Sequence, residues 1–142
     1  MSLNEALKKK VSFEFEQIEK ELSVINMILK AKNNKILDEI ELRAAASSIH
    51  SIYNGIEKII IQIFKDQNIE ITAPSKSHSE LLKKAFERSI ISLNLERKLR
   101  EYMGFRHFYR HAYGFMLDNE LIYPLLENIN DLVVDFKNEI IK

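Results

Sequence analysis

The side chains best suited to catalysis lie together in residues 105–115, whose sequence is FRHFYRHAYGF. This segment contains Arg106 and Arg110, His107 and His111, and two tyrosines. An arginine binds phosphate oxygens through a planar fork of N–H donors, and a histidine exchanges protons near neutral pH. Because the segment has no acidic residue, it indicates phosphodiester chemistry rather than the hydrolysis of peptides or glycosides.

Cleavage of RNA needs three functional groups and does not require a metal ion. One group activates the 2′-hydroxyl, a second protonates the leaving oxygen, and a cation stabilises the charge that develops on the phosphorane. On a helix that continues to Met116, at about 100° per residue, the arginines and histidines share one face with Tyr113. The opposite face is apolar and is predicted to lie in the core; it holds Phe105, Phe108, Ala112, Phe115 and Met116. Gly114 lies among the polar side chains and would let a substrate or a second subunit approach the backbone.

The same residues permit two simpler interpretations. A helix face rich in arginine and histidine is often an ordinary solvated surface. His107 and His111 are four residues apart and are able to chelate a metal ion, but no HExxH pattern and no third ligand accompanies them, so we expect no metal and no other cofactor. Of the other two histidines, His50 is expected to form a hydrogen bond between helices, and His78 is expected to be structural or exposed.

The spacing of apolar residues predicts the helices that must position this segment. Apolar residues recur in steps of three and four along most of the chain, which is typical of amphipathic helices. The predicted helices span residues 4–32, 35–66, 95–116 and 120–141, with a third helix between a loop at 67–78 and a break at 92–94. Asn33 and Asn34 are predicted to end the first helix, and Asp118 or Asn119 to cap the fifth. We therefore expect one domain, residues 1–142, folded as an all-α, antiparallel up-and-down bundle of four to five helices.

The composition supports a helical protein without disulfides. Three glycines, two prolines and no cysteine among 142 residues exclude a disulfide scaffold and a thiolate zinc site, and they disfavour a turn-rich β-sandwich. No apolar run approaches the ~20 residues of a membrane span, and the N-terminus lacks a signal-peptide pattern, so we expect a cytoplasmic protein without a membrane partner.

The net charge of the chain is zero, but the charges are unevenly distributed along it. Residues 96–114 carry five basic and two acidic side chains (+3), whereas residues 115–142 carry two basic and six acidic ones (−4).

A known sequence motif is present in residues 105–115. Arg106, His111 and Tyr113 match the R-x(4)-H-x-Y motif of HEPN-domain ribonucleases, and the chain resembles the HepT-like toxins in particular. The resemblance extends to LRAAASSIHSIYNGIEKII on the second helix, SHSELL at the start of the third and FRHFYRHAYGFML on the fourth. It covers about residues 10–135.

The resemblance implies a helical bundle that forms a homodimer, with two copies of the motif facing each other across one cleft. It implies a metal-independent endoribonuclease in which Arg106 holds the scissile phosphate and His111 takes part in proton transfer with the 2′-hydroxyl. His107 occupies the position after the motif arginine, where a polar residue is usual, and would assist. To this set the helical wheel adds Arg110 as a contact to the RNA backbone.

The resemblance also implies partners. HepT-like toxins belong to toxin–antitoxin systems, of type II or type VII, and are neutralised by a minimal nucleotidyltransferase antitoxin of the MNT type. That antitoxin can transfer AMP to the motif tyrosine, here Tyr113, and so block RNA by bulk and negative charge. The expected partners are therefore RNA, this antitoxin and a second copy of the chain, and no DNA. The alternative is a non-catalytic bundle that serves as the substrate-binding subunit of a nucleotidyltransferase, or a purely structural interaction protein.

Overall fold

The computed structural model describes residues 3–32, 36–70 and 77–141, and these ranges contain helices and no β-strand. The helices are α1 (Glu5–Lys32), α2 (Glu39–Asp66), α3 (Ser77–Glu87), α4 (Leu93–His111) and α5 (Asn119–Ile140), with a 3₁₀ turn at Gly114–Met116. The predicted all-α helical bundle is confirmed. The predicted helix end at Asn33 and Asn34 and residues 71–76 of the predicted loop lie outside the described residues. Among the described residues, none of the helices is both long enough and apolar enough to cross a membrane.

The second helix is the centre of the bundle, because α2 packs against each of the other four helices. Its apolar residues at spacings of three and four form a stripe that is entirely buried and consists of Leu42, Ala45, Ile49, Ile52, Ile56, Ile59 and Ile63. Each buried isoleucine contributes roughly 1.5–3 kcal/mol relative to an exposed one. The helix begins at Glu39, later than predicted, because Asp38 and Glu41 form a capping box in which each side chain accepts a hydrogen bond from the other residue's backbone N–H.

The fourth helix, which carries the motif, differs from its predicted range at both ends. It begins after Ser92, whose hydroxyl accepts a hydrogen bond from the Leu95 N–H at 3.1 Å. It ends at His111 and does not continue to Met116. The chain leaves the helix there because Leu117 is buried in the core and Asp118 caps α5, accepting a hydrogen bond from the Leu121 N–H at 2.8 Å.

Two helical glycines offer a matched test of the packing. A Cβ atom at Gly55 of α2 would lie 2.8 Å from Ile18 Cγ1 of α1, whereas a Cβ at Gly104 of α4 would meet nothing within 4 Å. We expect Gly104→Ala to raise the free energy of unfolding by about 0.5–1 kcal/mol through helix propensity. We expect Gly55→Ala to lower it by about 1 kcal/mol, because overpacking costs more than propensity contributes. Urea unfolding followed by circular dichroism measures both, and shifts of the same sign would contradict the close approach of α1 and α2.

Candidate active site

Arg106 is turned from α4 toward α2 and α3. Its Nε donates a hydrogen bond to Asn54 Oδ1 at 2.9 Å, and its Nη1 lies 3.0 Å from His78 Nε2. Neither partner is a carboxylate, so the guanidinium is held in place while its own charge is not cancelled by a directly bonded acidic group. The side chain is half-buried.

His78 is in turn held by a buried carboxylate. Its Nδ1 lies 2.9 Å from both carboxylate oxygens of Glu57, which is only 5% exposed. A carboxylate accepts, so Nδ1 carries the proton and Nε2 is left to accept a hydrogen bond from Arg106. Glu57, His78 and Arg106 therefore form a chain that fixes the direction of the guanidinium.

Asn54, Glu57 and His78 were not predicted as site residues. His78 was expected to be structural or exposed, and the structure gives it a structural role directly behind the motif arginine. A sequence signal did exist for the other two. His50, Asn54 and Glu57 are spaced by four and three residues, so they form a polar stripe on a helix otherwise rich in isoleucine.

His50 is the first residue of this polar stripe on α2, and it lies next to the C-terminal part of α4. Its Nδ1 accepts a 3.4 Å hydrogen bond from Asn54 on the same helix, and its ring packs against Tyr109 of α4 with centroids 4.8 Å apart. The predicted hydrogen bond between helices is therefore replaced by a ring contact. Burial lowers the pKa of His50, and the positive charges of Arg106 and Arg110 lower it further, although Glu57 opposes them. His50 is thus uncharged at neutral pH and lies in the positive field of both arginines.

The two histidines of the motif segment, residues 105–115, lie at the solvent-exposed end of α4. His107 and His111 are both exposed, and their rings meet edge to face with centroids 5.1 Å apart. His111 is the last residue of the helix. In the described parts of the chain, no third His, Cys, Asp or Glu joins this pair in a group that could hold a metal ion.

Arg106 and His111 are not brought into contact within one chain. The helix is continuous between them, so they lie about 140° apart around its axis. Arg106 bonds to α2 and α3, whereas His111 faces solvent beside His107. Within one copy the two motif residues therefore lie on different sides of α4 and do not converge on one point.

The predicted positions of Tyr113, Phe108, Phe115 and Met116 are wrong. Met116 is exposed and not in the core. Because α4 ends at His111, Tyr113 is in extended backbone (φ −78°, ψ 153°) and not on the helix face. Its ring is 69% exposed and stacks on Phe115, which is 72% exposed, at 5.7 Å. Phe105 is buried as predicted, but Phe108 is not, because the buried stripe of α4 continues from Phe105 to the half-buried Tyr109 and leaves Phe108 at its edge.

A cavity of about 480 Å³ opens beside the motif, between α2, α4 and the connection to α5. It is lined by Arg43, His50, Tyr109, Arg110, Ala112, Gly114 and Leu117. Gly114 was predicted to admit a substrate or a second subunit. In the structure the Arg43 guanidinium lies against it instead, and a Cβ at this position would collide with that group. Arg43 was not predicted as a site residue, since it is far from the motif in sequence.

The cations of α4 differ in how they are neutralised. Arg100 pairs with Glu96 at 2.7 Å and Lys98 with Asp135 of α5 at 3.0 Å. Over residues 3–32, 36–70 and 77–141, no carboxylate pairs with Arg106 or Arg110. Arg97 near the start of the helix is likewise unpaired among the described residues, so two of the three unpaired arginines of the helix lie in its last two turns, next to the two exposed histidines.

Comparison with known proteins gives one match. A family model described as HepT-like protein matches residues 44–142, which include most of α2 and all of α3, α4 and α5. No curated protein and no solved structure matches the chain. The matched range contains the arginine and histidine motif together with Asn54, Glu57 and His78.

Proposed function

The chain belongs to the HepT-like protein family, and on that premise we propose that it is a metal-independent endoribonuclease, the toxin of a type II or type VII toxin–antitoxin system. The proposal rests on the groups found at the C-terminal end of α4. Arg106 and Arg110 have no carboxylate partner among the described residues, and His107 and His111 stand exposed beside them. Unneutralised guanidinium groups favour an anion, and neighbouring imidazoles supply the proton transfers that cleavage of RNA requires.

In the proposed reaction, the scissile phosphate binds to Arg106, whose Nη2 is not used by Asn54 or His78. His111 removes the proton from the 2′-hydroxyl, and the resulting oxygen attacks phosphorus. The bond from phosphorus to the 5′-oxygen breaks, and that oxygen takes a proton from a second imidazole. The products are a 2′,3′-cyclic phosphate and a 5′-hydroxyl. Arg106 stabilises the extra charge on the phosphorane, and His107 assists His111.

We propose that the complete site forms in a homodimer. Within one copy, Arg106 and His111 lie on different sides of α4, so a second copy related by a two-fold axis is the simplest source of the missing group. Arg106 of one copy and His111 of the other would then act on the same phosphate.

We propose that the antitoxin partner is an MNT-type nucleotidyltransferase that acts on Tyr113. The phenol is 69% exposed and lies in the extended segment just beyond α4, so a second enzyme can reach it. Transfer of AMP from ATP would form a bond between the phenolic oxygen and phosphorus, with pyrophosphate as the leaving group. The added negative charge would stand next to Gly114, which Arg43 contacts, and would repel RNA from the cationic end of α4.

The proposal is tested by producing the chain alone in bacterial cells. We expect induction to arrest growth, because free enzyme would cut cellular RNA in the cytoplasm, and co-production of an MNT-type antitoxin to restore growth. Arg97→Ala serves as a control, since Arg97 is an exposed arginine of the same helix outside the site. It should arrest growth as the wild type does. Soluble wild-type protein without any effect on growth would instead favour the non-catalytic subunit of a nucleotidyltransferase.

A further inference from the structure

We propose that the cavity beside the motif is a second phosphate subsite, in which Arg43 and Arg110 bind the RNA phosphate next to the scissile one. This inference rests on the proposed ribonuclease function; it adds Arg43 to the site and gives Arg110, already expected to contact the RNA backbone, a defined phosphate to bind. The site is built from three parts of the chain. Arg43 comes from α2, Arg110 from α4, and Gly114 from the turn that follows α4.

Charge is the first observation that supports this subsite. Arg110 has no carboxylate partner among the described residues, and Arg43 uses Nη2 for its pair with Glu39 at 2.6 Å. The remaining N–H groups of both guanidinium groups are available to an anion. Burial is the main cause of the lowered pKa of His50, a second lining residue, and the positive charges of Arg106 and Arg110 add to it, which agrees with a positive potential in this cavity.

The backbone at Gly114 is the second observation. The Arg43 guanidinium lies against this glycine, where any larger residue would force it to move. The absence of a side chain at Gly114 therefore leaves room for a cation from α2 at the end of α4, although the two arginines are far apart in sequence. The volume of the cavity, about 480 Å³, exceeds that of one phosphate group.

The distance from the motif is the third observation. Arg110 follows Arg106 by four residues on one continuous helix, so the two lie on adjacent turns and about 6 Å apart along its axis. Neighbouring phosphates of a nucleic-acid strand are separated by a similar distance. A strand whose scissile phosphate is bound to Arg106 would therefore bring its next phosphate within reach of Arg110 and Arg43.

The experiment measures binding of a short single-stranded 2′-O-methyl RNA, which lacks the attacking hydroxyl and is not cut, over a range of salt concentrations. We expect Arg43→Ala to weaken binding about tenfold, as for the loss of one charge-assisted hydrogen bond. We also expect it to reduce the slope of log K against log salt by about 0.7, the value for one phosphate contact on a single strand. Arg97→Ala, which removes an exposed arginine of α4 outside the cavity, should change neither quantity.

A second variant gives a gain of binding that misfolding cannot mimic. Glu39→Gln releases Arg43 from its exposed ion pair, so we expect this variant to bind the same RNA more tightly than the wild type does. With cleavable RNA, Arg43→Ala should raise KM and leave kcat nearly unchanged, because the subsite does not touch the reacting atoms.

The outcomes separate this inference from the proposed function. If the wild type cuts RNA and Arg43→Ala behaves like Arg97→Ala, the subsite is wrong and the ribonuclease function stands. If RNA binding depends on Arg43 and no RNA is cut, the subsite stands and the ribonuclease function is wrong. A fall in kcat without a rise in KM would also overturn the subsite. Failure of the wild type to bind or cut RNA would overturn both.

Discussion

Replacement of Arg106 by alanine is expected to lower the rate of RNA cleavage by about 10²–10³-fold, the loss typical of removing one donor that stabilises transition-state charge. The guanidinium is aimed by Asn54 and by the Glu57–His78 pair, so its contribution depends on geometry as well as on charge. Arg106→Lys retains the charge but cannot reach both partners with one planar group, and we expect it to recover only part of the lost rate. The measurement is single-turnover cleavage of a labelled RNA by purified protein.

The control for this prediction is the stability of the variant. Arg106→Ala leaves the Nε2 atom of His78 without its donor, and we expect a loss of about 1 kcal/mol in the free energy of unfolding. That loss is too small to unfold the bundle, so a folded but inactive variant is the expected result. A folded Arg106→Ala protein that cuts RNA at the wild-type rate would remove this residue from the catalytic pair.

Replacement of His111 by alanine is expected to lower the rate by about 10²–10⁴-fold, the usual contribution of general acid–base catalysis. His111 is exposed at the end of α4, so its removal should leave the free energy of unfolding unchanged. His107→Ala is the matched control: it removes an exposed imidazole from the same helix, with a ring 5.1 Å from that of His111. We expect a smaller loss of rate for His107→Ala, because its proposed role is to assist.

The two inactive variants together test where the site is formed. In a dimer of Arg106→Ala with His111→Ala, one intact Arg106 faces one intact His111 from the other copy. If the site is shared between copies, mixing the two proteins through unfolding and refolding should restore part of the activity. A mixture as inactive as its components would show that each copy needs its own pair.

Much of the fold is predictable from sequence because the periodicity of apolar residues persists over long segments. The stripe of α2 from Leu42 to Ile63 is unambiguous, and the cap of α5 at Asp118 is a local signal. The end of α4 is not predictable in the same way. Ala112 and Tyr113 are compatible with a helix, and the chain leaves it because of the burial of Leu117, which depends on tertiary packing.

The residues of the candidate site also fall into two groups, those predictable from local sequence and those that depend on tertiary packing. Arg106, His107, Arg110 and His111 are found from residue type and spacing, because they belong to one helical segment. Asn54, Glu57 and His78 support Arg106 from two other helices, and their role follows only from the packing of α2 and α3 against α4. Arg43 is the extreme case, since it lies at the start of α2 and comes close to the motif only through the packing of α2 beside α4 and the turn at Gly114.

The most direct test of the central claim is cleavage of RNA by the purified protein in the presence of EDTA, with the chemical ends of the products identified. We expect cleavage to persist in the chelator and to yield a 2′,3′-cyclic phosphate and a 5′-hydroxyl. The same preparation carrying Arg106→Ala or His111→Ala should give neither product at a comparable rate. Cleavage that stops in EDTA and returns with a divalent cation, or that is equal in the wild type and both variants, would contradict a metal-independent site built on Arg106 and His111.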